Sequence, residues 1–129
     1  MTGTLKILEK LPNGITGLAN RVTELGIKFG LWFEPEMVNK DSDLYRAHPD
    51  WILTTPNRRA CHGRNQYVLD FSRQEVVDYI YEAMAKVLGE APISYVKWDM
   101  NRNITECFSA VANAADQGKV FHKYNFRSI

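Results

Sequence analysis

The sequence is poor in the features that would place it in a specialised class. It has only two cysteines, Cys61 and Cys107, and they do not form a CxxC pair. One disulfide is arithmetically possible, but two reduced thiols in a cytoplasmic protein is the reading adopted. The three histidines, His48, His62 and His122, lie far apart with no metal-ligand spacing, so no zinc site is expected. Charge of one sign is also lacking: 16 Lys+Arg against 15 Asp+Glu leave a net charge of +1. No large single-sign field therefore exists to attract nucleic acid or an anionic membrane. No apolar run approaches the roughly 18 residues of a membrane span, and the N-terminus carries no signal-peptide core. Low-complexity tracts and heptad series are absent too. Length excludes one architecture outright: 129 residues suffice for one domain with an ordinary core, but a closed (β/α)₈ barrel needs roughly 200 or more.

What remains is an ordinary globular composition, 45% hydrophobic and 24% charged, with two alternating periodicities. From Asn13 to Gly26, Ile15, Leu18, Ala19, Val22 and Leu25 recur at helical spacing, and Gly26 is placed as a stop. Ile27 to Glu34 is a short apolar run ended by Pro35, which predicts a strand buried on both faces. Gln66 to Phe71 predicts a second strand. Ser72 with Glu75 forms a capping-box pattern ahead of the apolar face Val76, Val77, Ile80, Met84, Val87 and Leu88, with Gly89 as the stop. Ile93 to Asp99 predicts a third strand, and the Ala-rich stretch after it a last helix from near Thr105 to Gln117, ended by Gly118. The 31 residues from Pro35 to Asn65 read as a long loop with a short helix at 42–47, a length usual for functional or disordered loops. This order predicts an α/β fold of about three parallel strands with crossover helices.

Ligand sites in such folds form at the carboxyl ends of the strands. Those ends carry Trp32 and Glu34, then Asp70, then Lys97 and Asp99. Any single carboxylate there is more often a helix cap or loop partner than a catalyst; the joint pattern is what points to function. In a strand Lys97 and Asp99 share one face and Trp98 takes the other. The lysine charge would keep Asp99 ionised, as a nucleophilic carboxylate requires. A structural ion pair closing the strand is the alternative, and the residues alone leave both open.

Four segments together resemble the family 36 α-galactosidases among the glycoside hydrolases: Trp32-Phe33-Glu34-Pro35-Glu36-Met37-Val38, His48-Pro49-Asp50-Trp51, Gly63-Arg64-Asn65-Gln66 with Leu69-Asp70 after it, and Lys97-Trp98-Asp99-Met100-Asn101-Arg102. The resemblance runs from about Leu11 to Tyr124. It implies retaining hydrolysis of terminal α-galactosyl units from oligosaccharides of the raffinose and melibiose type, on a (β/α)₈ domain of which this chain would be a partial barrel. By resemblance Asp99 is the nucleophile, Lys97 contacts sugar hydroxyls, Trp32 lines the galactose pocket and Arg64 reaches the sugar. The chemistry is compatible. An indole stacks on a sugar face, Arg and Lys donate to hydroxyl oxygens, and a carboxylate attacks the anomeric carbon. No metal or organic cofactor is called for. Glu34 and Glu36 are read as structural, pairing with neighbouring strand-end cations, Asp70 as ordering the turn before Ser72, and the basic loop Arg58 to Arg64 as solvated.

A retaining glycosidase also needs a second carboxyl group about 5–5.5 Å from the first. Nothing after Asp99 matches the family's acid/base motif, and Glu106 and Asp116 fall on the predicted last helix. The Asp-Asp-Gly-Trp strand that precedes Asn13 in the family is missing as well. Residues 1–6 and 125–129 depart from the family pattern, as a truncated or frame-shifted gene would give. The expectation is a fragment inactive alone, self-associating as a homo-oligomer through unpaired barrel edges. The alternatives are a related transglycosidase and a non-catalytic remnant that complements a missing part.

Overall fold

A computed structural model describes residues 11–127; the N-terminal departure at 1–6 lies outside them. In chain order the elements are α1 (Gly14–Glu24), β1 (Gly30–Phe33), β2 (Met37–Asn39), α2 (Asp43–Ala47), β3 (Gln66–Val68), α3 (Gln74–Glu90), β4 (Tyr95–Trp98), a 3₁₀ turn (Gln117–Lys119) and α4 (Val120–Arg127). They divide into two compact units. The first is Met1–Phe33 with Tyr81–Asp99, the second Glu34–Ile80 with Met100–Ile129. The fold is mixed α/β with one parallel pair of strands.

In the first unit α1 ends where its sequence says it should. Gly26 takes φ +76°, its N–H bonds Thr23 O at 2.9 Å and the N–H of Ile27 bonds Val22 O at 3.3 Å. Both bonds belong to the Schellman ending, which needs a left-handed residue that glycine supplies without strain. β1 and β4 then pair in parallel, Gly30 opposite Tyr95 through Phe33 opposite Trp98. The close approach depends on Gly30, since a Cβ there would meet Tyr95 O at 3.1 Å. The expected burial of both strand faces is not found. Trp32, Tyr95 and Trp98 are exposed, because among the described residues this sheet has only two strands, and nothing pairs with its outer edges.

The second unit holds the core: Val38, Trp51, Ile52, Leu53, Val68, Leu69, Phe71, Val76, Val120 and Tyr124. It also corrects the topology read from the sequence. The middle strand does not join a run of three parallel strands; β3 pairs antiparallel with β2, Met37 opposite Val68 and Asn39 opposite Gln66. Two local devices reverse the chain. Ser42 caps α2 by accepting the Tyr45 N–H at 3.1 Å, and Gly63 and Gln66 exchange both backbone hydrogen bonds, 3.2 and 3.1 Å. Between them Arg64 and Asn65 take φ +56° and +61°, the geometry of a two-residue hairpin with both central residues left-handed. Arg-Asn is not a sequence that announces such a turn. Past β3 the chain is held on both sides, Leu69 N–H to Glu36 O at 2.8 Å and Asp70 N–H to Trp51 O at 2.7 Å. Trp51 stacks on His48 at 3.9 Å between ring centroids.

Two helix boundaries also differ from expectation. The capping box is not formed: the Ser72 hydroxyl donates to Asp70 Oδ1 at 2.5 Å and Glu75 is taken by Arg73. Asp70 does order this turn, since it accepts the Ser72 N–H as well, at 3.1 Å. The predicted helix from Thr105 to Gln117 is absent, and α4 begins only at Val120. Alanine propensity is a weak prior against two competing local bonds. Asn113 Oδ1 takes the Asp116 N–H at 3.0 Å, and the Gln117 amide donates to both Ser109 O and Ala112 O at 2.8 Å. Val120 and Tyr124, one helical turn apart, are fully buried, and Tyr124 stacks on Phe71 at 5.6 Å.

Candidate active site

The parallel register decides which side chains meet in the first unit. Trp32 lies opposite Lys97, and Asp99, two residues on, returns to the face of Lys97. The Asp99 backbone N–H bonds Phe33 O at 2.9 Å, so the ladder continues one rung past β4 and fixes where that carboxylate emerges. Asp99 Oδ2 accepts the indole N–H of Trp32 at 3.1 Å and lies 3.6 Å from Lys97 Nζ. Trp32 is half exposed; its indole is both a hydrogen-bond donor to the carboxylate and an open apolar face. Three of the four residues singled out from the sequence are therefore brought together at the carboxyl end of one strand pair.

Arg64, the fourth, belongs to the second unit, at the hairpin turn. A bulky residue with φ near +60° is a strained position, of order 1–3 kcal/mol, that surrounding contacts must hold. Its Nη1 lies 3.4 Å from Glu34 Oε1. The same oxygen accepts the side-chain N–H of Asn101 at 2.6 Å, while Glu36 Oε1 accepts the backbone N–H of Asn101 at 2.9 Å. Glu34 thus does pair with a cation, as expected, although the cation is on the hairpin rather than at a strand end. Among the described residues of the second unit Glu36 has no cation partner; its carboxylate is buried and accepts the Asn101 backbone N–H. Asn101 stands in the quoted motif, yet sequence reasoning gave it no role. Its signal was only that it follows a strand-end carboxylate by two residues.

The second unit also holds the buried Glu36, Asp70 and Tyr124, with the half-buried Cys107 near them. Burial, reinforced by the neighbouring Asp70, pushes the Cys107 thiol up to about 11. Burial also raises the Tyr124 hydroxyl strongly, with Glu36, Cys107 and Asp70 adding in that order. Both groups stay protonated at neutral pH and contribute packing rather than charge. Cys61 is exposed and both cysteines are free thiols. Among the described residues no cluster of His, Cys, Asp or Glu could hold a metal ion.

A mixed α/β fragment whose parallel strands present a carboxylate, an ammonium and an indole at their carboxyl ends matches one group of proteins throughout. The melibiase family profile matches residues 5–127. The chain is 57% identical over 115 residues to α-galactosidase AgaA of Geobacillus stearothermophilus, covering 89% of this chain and 16% of that protein. It is 47% identical over 116 residues to α-galactosidase Mel36A of Lactobacillus acidophilus. The crystal structure of AgaA superposes with a TM-score of 0.90 at 55% identity, covering 94% of this chain and 17% of that one. The chain belongs to the melibiase family, the family 36 α-galactosidases of the glycoside hydrolases. It spans about 16% of the length of the first curated relatives it matches.

Proposed function

We propose that this chain is the nucleophile-bearing segment of a retaining α-galactosidase, part of a (β/α)₈ catalytic domain, acting on terminal α-galactosyl units of raffinose-type oligosaccharides. Asp99 is the nucleophile, Lys97 and Arg64 donate to sugar hydroxyls, and Trp32 lines the galactose pocket. The observation that carries the reading is the convergence of Trp32 Nε1 and Lys97 Nζ on one oxygen of Asp99, at 3.1 and 3.6 Å. Two donors on Oδ2 orient the carboxylate and hold it ionised, as a nucleophile requires. A bond forms from Asp99 to the anomeric carbon as the glycosidic C–O bond breaks, and a second carboxyl group protonates the leaving oxygen. No residue after Asp99 is assigned that acid role, so the chain by itself is inactive. Variants of AgaA have been crystallised with raffinose and with stachyose, which supports the substrate class.

The test is an aryl α-galactoside assay together with tryptophan fluorescence. An α-galactoside should quench or shift Trp32 emission in the wild-type chain and in Asp99→Asn, but not in Trp32→Phe, with no turnover by the chain alone. Turnover that survives Asp99→Asn would sink the assignment of the nucleophile. Self-association is a second consequence: Leu25, Ile27, Tyr95 and Trp98 leave apolar surface uncovered on the first unit. Sedimentation as a compact monomer at all concentrations would argue against it.

A further inference from the structure

Of the chain's asparagines, Asn13 alone is followed by glycine. The pair is reactive for a simple reason. The backbone nitrogen of the next residue can attack the asparagine side chain at Cγ, and glycine, lacking a Cβ, hinders that nitrogen least. We propose that Asn13 is a site of spontaneous deamidation, held inert by the turn it sits in and reacting when the first turn of α1 opens.

Leu11-Pro12-Asn13-Gly14 is a type I β-turn. Proline is favoured at its second position and glycine at its fourth; Asn13, the third, takes φ −100° and ψ 13°. The Gly14 N–H donates to Leu11 O at 2.9 Å and closes it. Three features of this geometry oppose the reaction. The attacking nitrogen must give up its proton, and that N–H is held in a hydrogen bond. At ψ 13° the Gly14 nitrogen nearly eclipses the nitrogen of Asn13 and faces away from Cβ, so ψ must rotate far before it reaches Cγ. Asn13 is also pinned to α1 from below: its carbonyl accepts the Gly17 N–H at 3.0 Å, and a Cβ on residue 17 would come within 2.4 Å of Asn13 Cβ. The side chain is exposed and makes no cap hydrogen bond to α1. Water reaches it, and backbone geometry is what restrains it.

Opening is a local event, because helix ends fray at low cost. Once the turn is open, Gly14 N bonds to Cγ as the Cγ–Nδ2 bond breaks, and Nδ2 leaves as ammonia with the Gly14 amide proton. The cyclic imide then takes up one water and opens on either side, to aspartate or isoaspartate. In isoaspartate the main chain runs through Cβ and Cγ, and the carbonyl that accepted the Gly17 N–H becomes a free carboxylate. The turn cannot re-form as it was, so an opening that reacts is recorded for good. Asn57 and Asn65 are internal controls: both take left-handed backbone, φ 58° and 61°, but precede Arg58 and Gln66, whose side chains shield the nitrogen.

The experiment incubates the full chain at pH 8 with and without guanidinium chloride and follows isoaspartate by peptide mass spectrometry. Modification is expected at Asn13, at least about tenfold slower in the folded chain than in the denatured one. Asn13→Gln should abolish it. Gly17→Ala leaves the Asn13-Gly14 pair intact but displaces the asparagine side chain. It should speed the folded chain's reaction several-fold, leave the denatured rate unchanged and not lower the denaturation midpoint. Equal rates in the folded and denatured chain, faster modification at another asparagine, or a folded Gly17→Ala rate that is unchanged or rises only with a lowered midpoint overturns the proposal.

Discussion

The two units of this chain solve the burial problem very differently. In the second unit an antiparallel pair, the start of α3 and α4 close around ten buried residues. In the first, Ala19 is the sole buried hydrophobic residue among those described, and its parallel strands leave large side chains in solvent. Parallel strands normally need cover on both faces. The proposed nucleophile therefore stands on the less self-sufficient unit, while Arg64 and Asn101 are held by the better-packed one. Stability and chemistry are separable in this chain, and that can be tested.

The largest effect should come from the core of the second unit. Phe71→Ala removes a fully buried ring and is expected to cost ~3–5 kcal/mol in urea unfolding. Leu31→Ala on half-buried β1 should cost less than about 2 kcal/mol; equal losses would break the contrast between the units. Next comes Arg73, buried and held by Asp50 and Glu75, each at 2.8 Å. Burial opposes its charge, but the two carboxylates outweigh that and raise its pKa. In return the Arg73 hydrogen bond lowers Asp50, and the backbone N–H of Glu75 followed by Arg73 lowers Glu75. Depressed carboxylates stabilise fully above their unfolded values, about 3.9 and 4.3, and that contribution is lost as pH falls below them. Because both carboxylates are more than half exposed, Arg73→Ala should cost only about 2 kcal/mol at pH 7 and flatten the acid limb of a stability–pH curve.

A smaller, kinetic contrast lies within the second unit. Cys61 is exposed and Cys107, at about 11, is a protonated thiol, so iodoacetamide should label Cys61 at least about tenfold faster at pH 8, as mass spectrometry would show. Comparable rates would mean that the core opens easily. The smallest effect on stability belongs to the candidate nucleophile. Asp99→Asn keeps the size and shape of a partly exposed side chain and should change unfolding free energy by less than ~0.5 kcal/mol. A large loss would recast Asp99 as a structural residue.

The meeting of Trp32, Lys97 and Asp99 in the candidate site was legible in part from the sequence because strand periodicity is strict: once Lys97 and Asp99 are two apart in a strand, they must share a face. α1 and its glycine stop were legible for a similar reason, and so was the short helix α2, though not the serine that caps it. The middle strand was not. Its direction is set by the Arg64-Asn65 turn and by the contact of Glu36 with Leu69, and neither has a local signature. The last helix was misplaced by alanine propensity, which lost to the Gln117 amide and to the seating of Val120 and Tyr124 in the core. The clamp on Asn101 was invisible for want of any pattern linking residues 34, 36 and 101.

The backbone bond from Asp99 to Phe33 makes the position of the candidate nucleophile the last tooth of a ratchet. Because side chains alternate along a strand, sliding β4 by one residue against β1 would not blunt the site gradually. It would turn Asp99 and Lys97 together to the opposite face and part both from Trp32 in a single step. Correct pairing of two four-residue strands is thus an all-or-nothing condition for assembling this half of the chemistry.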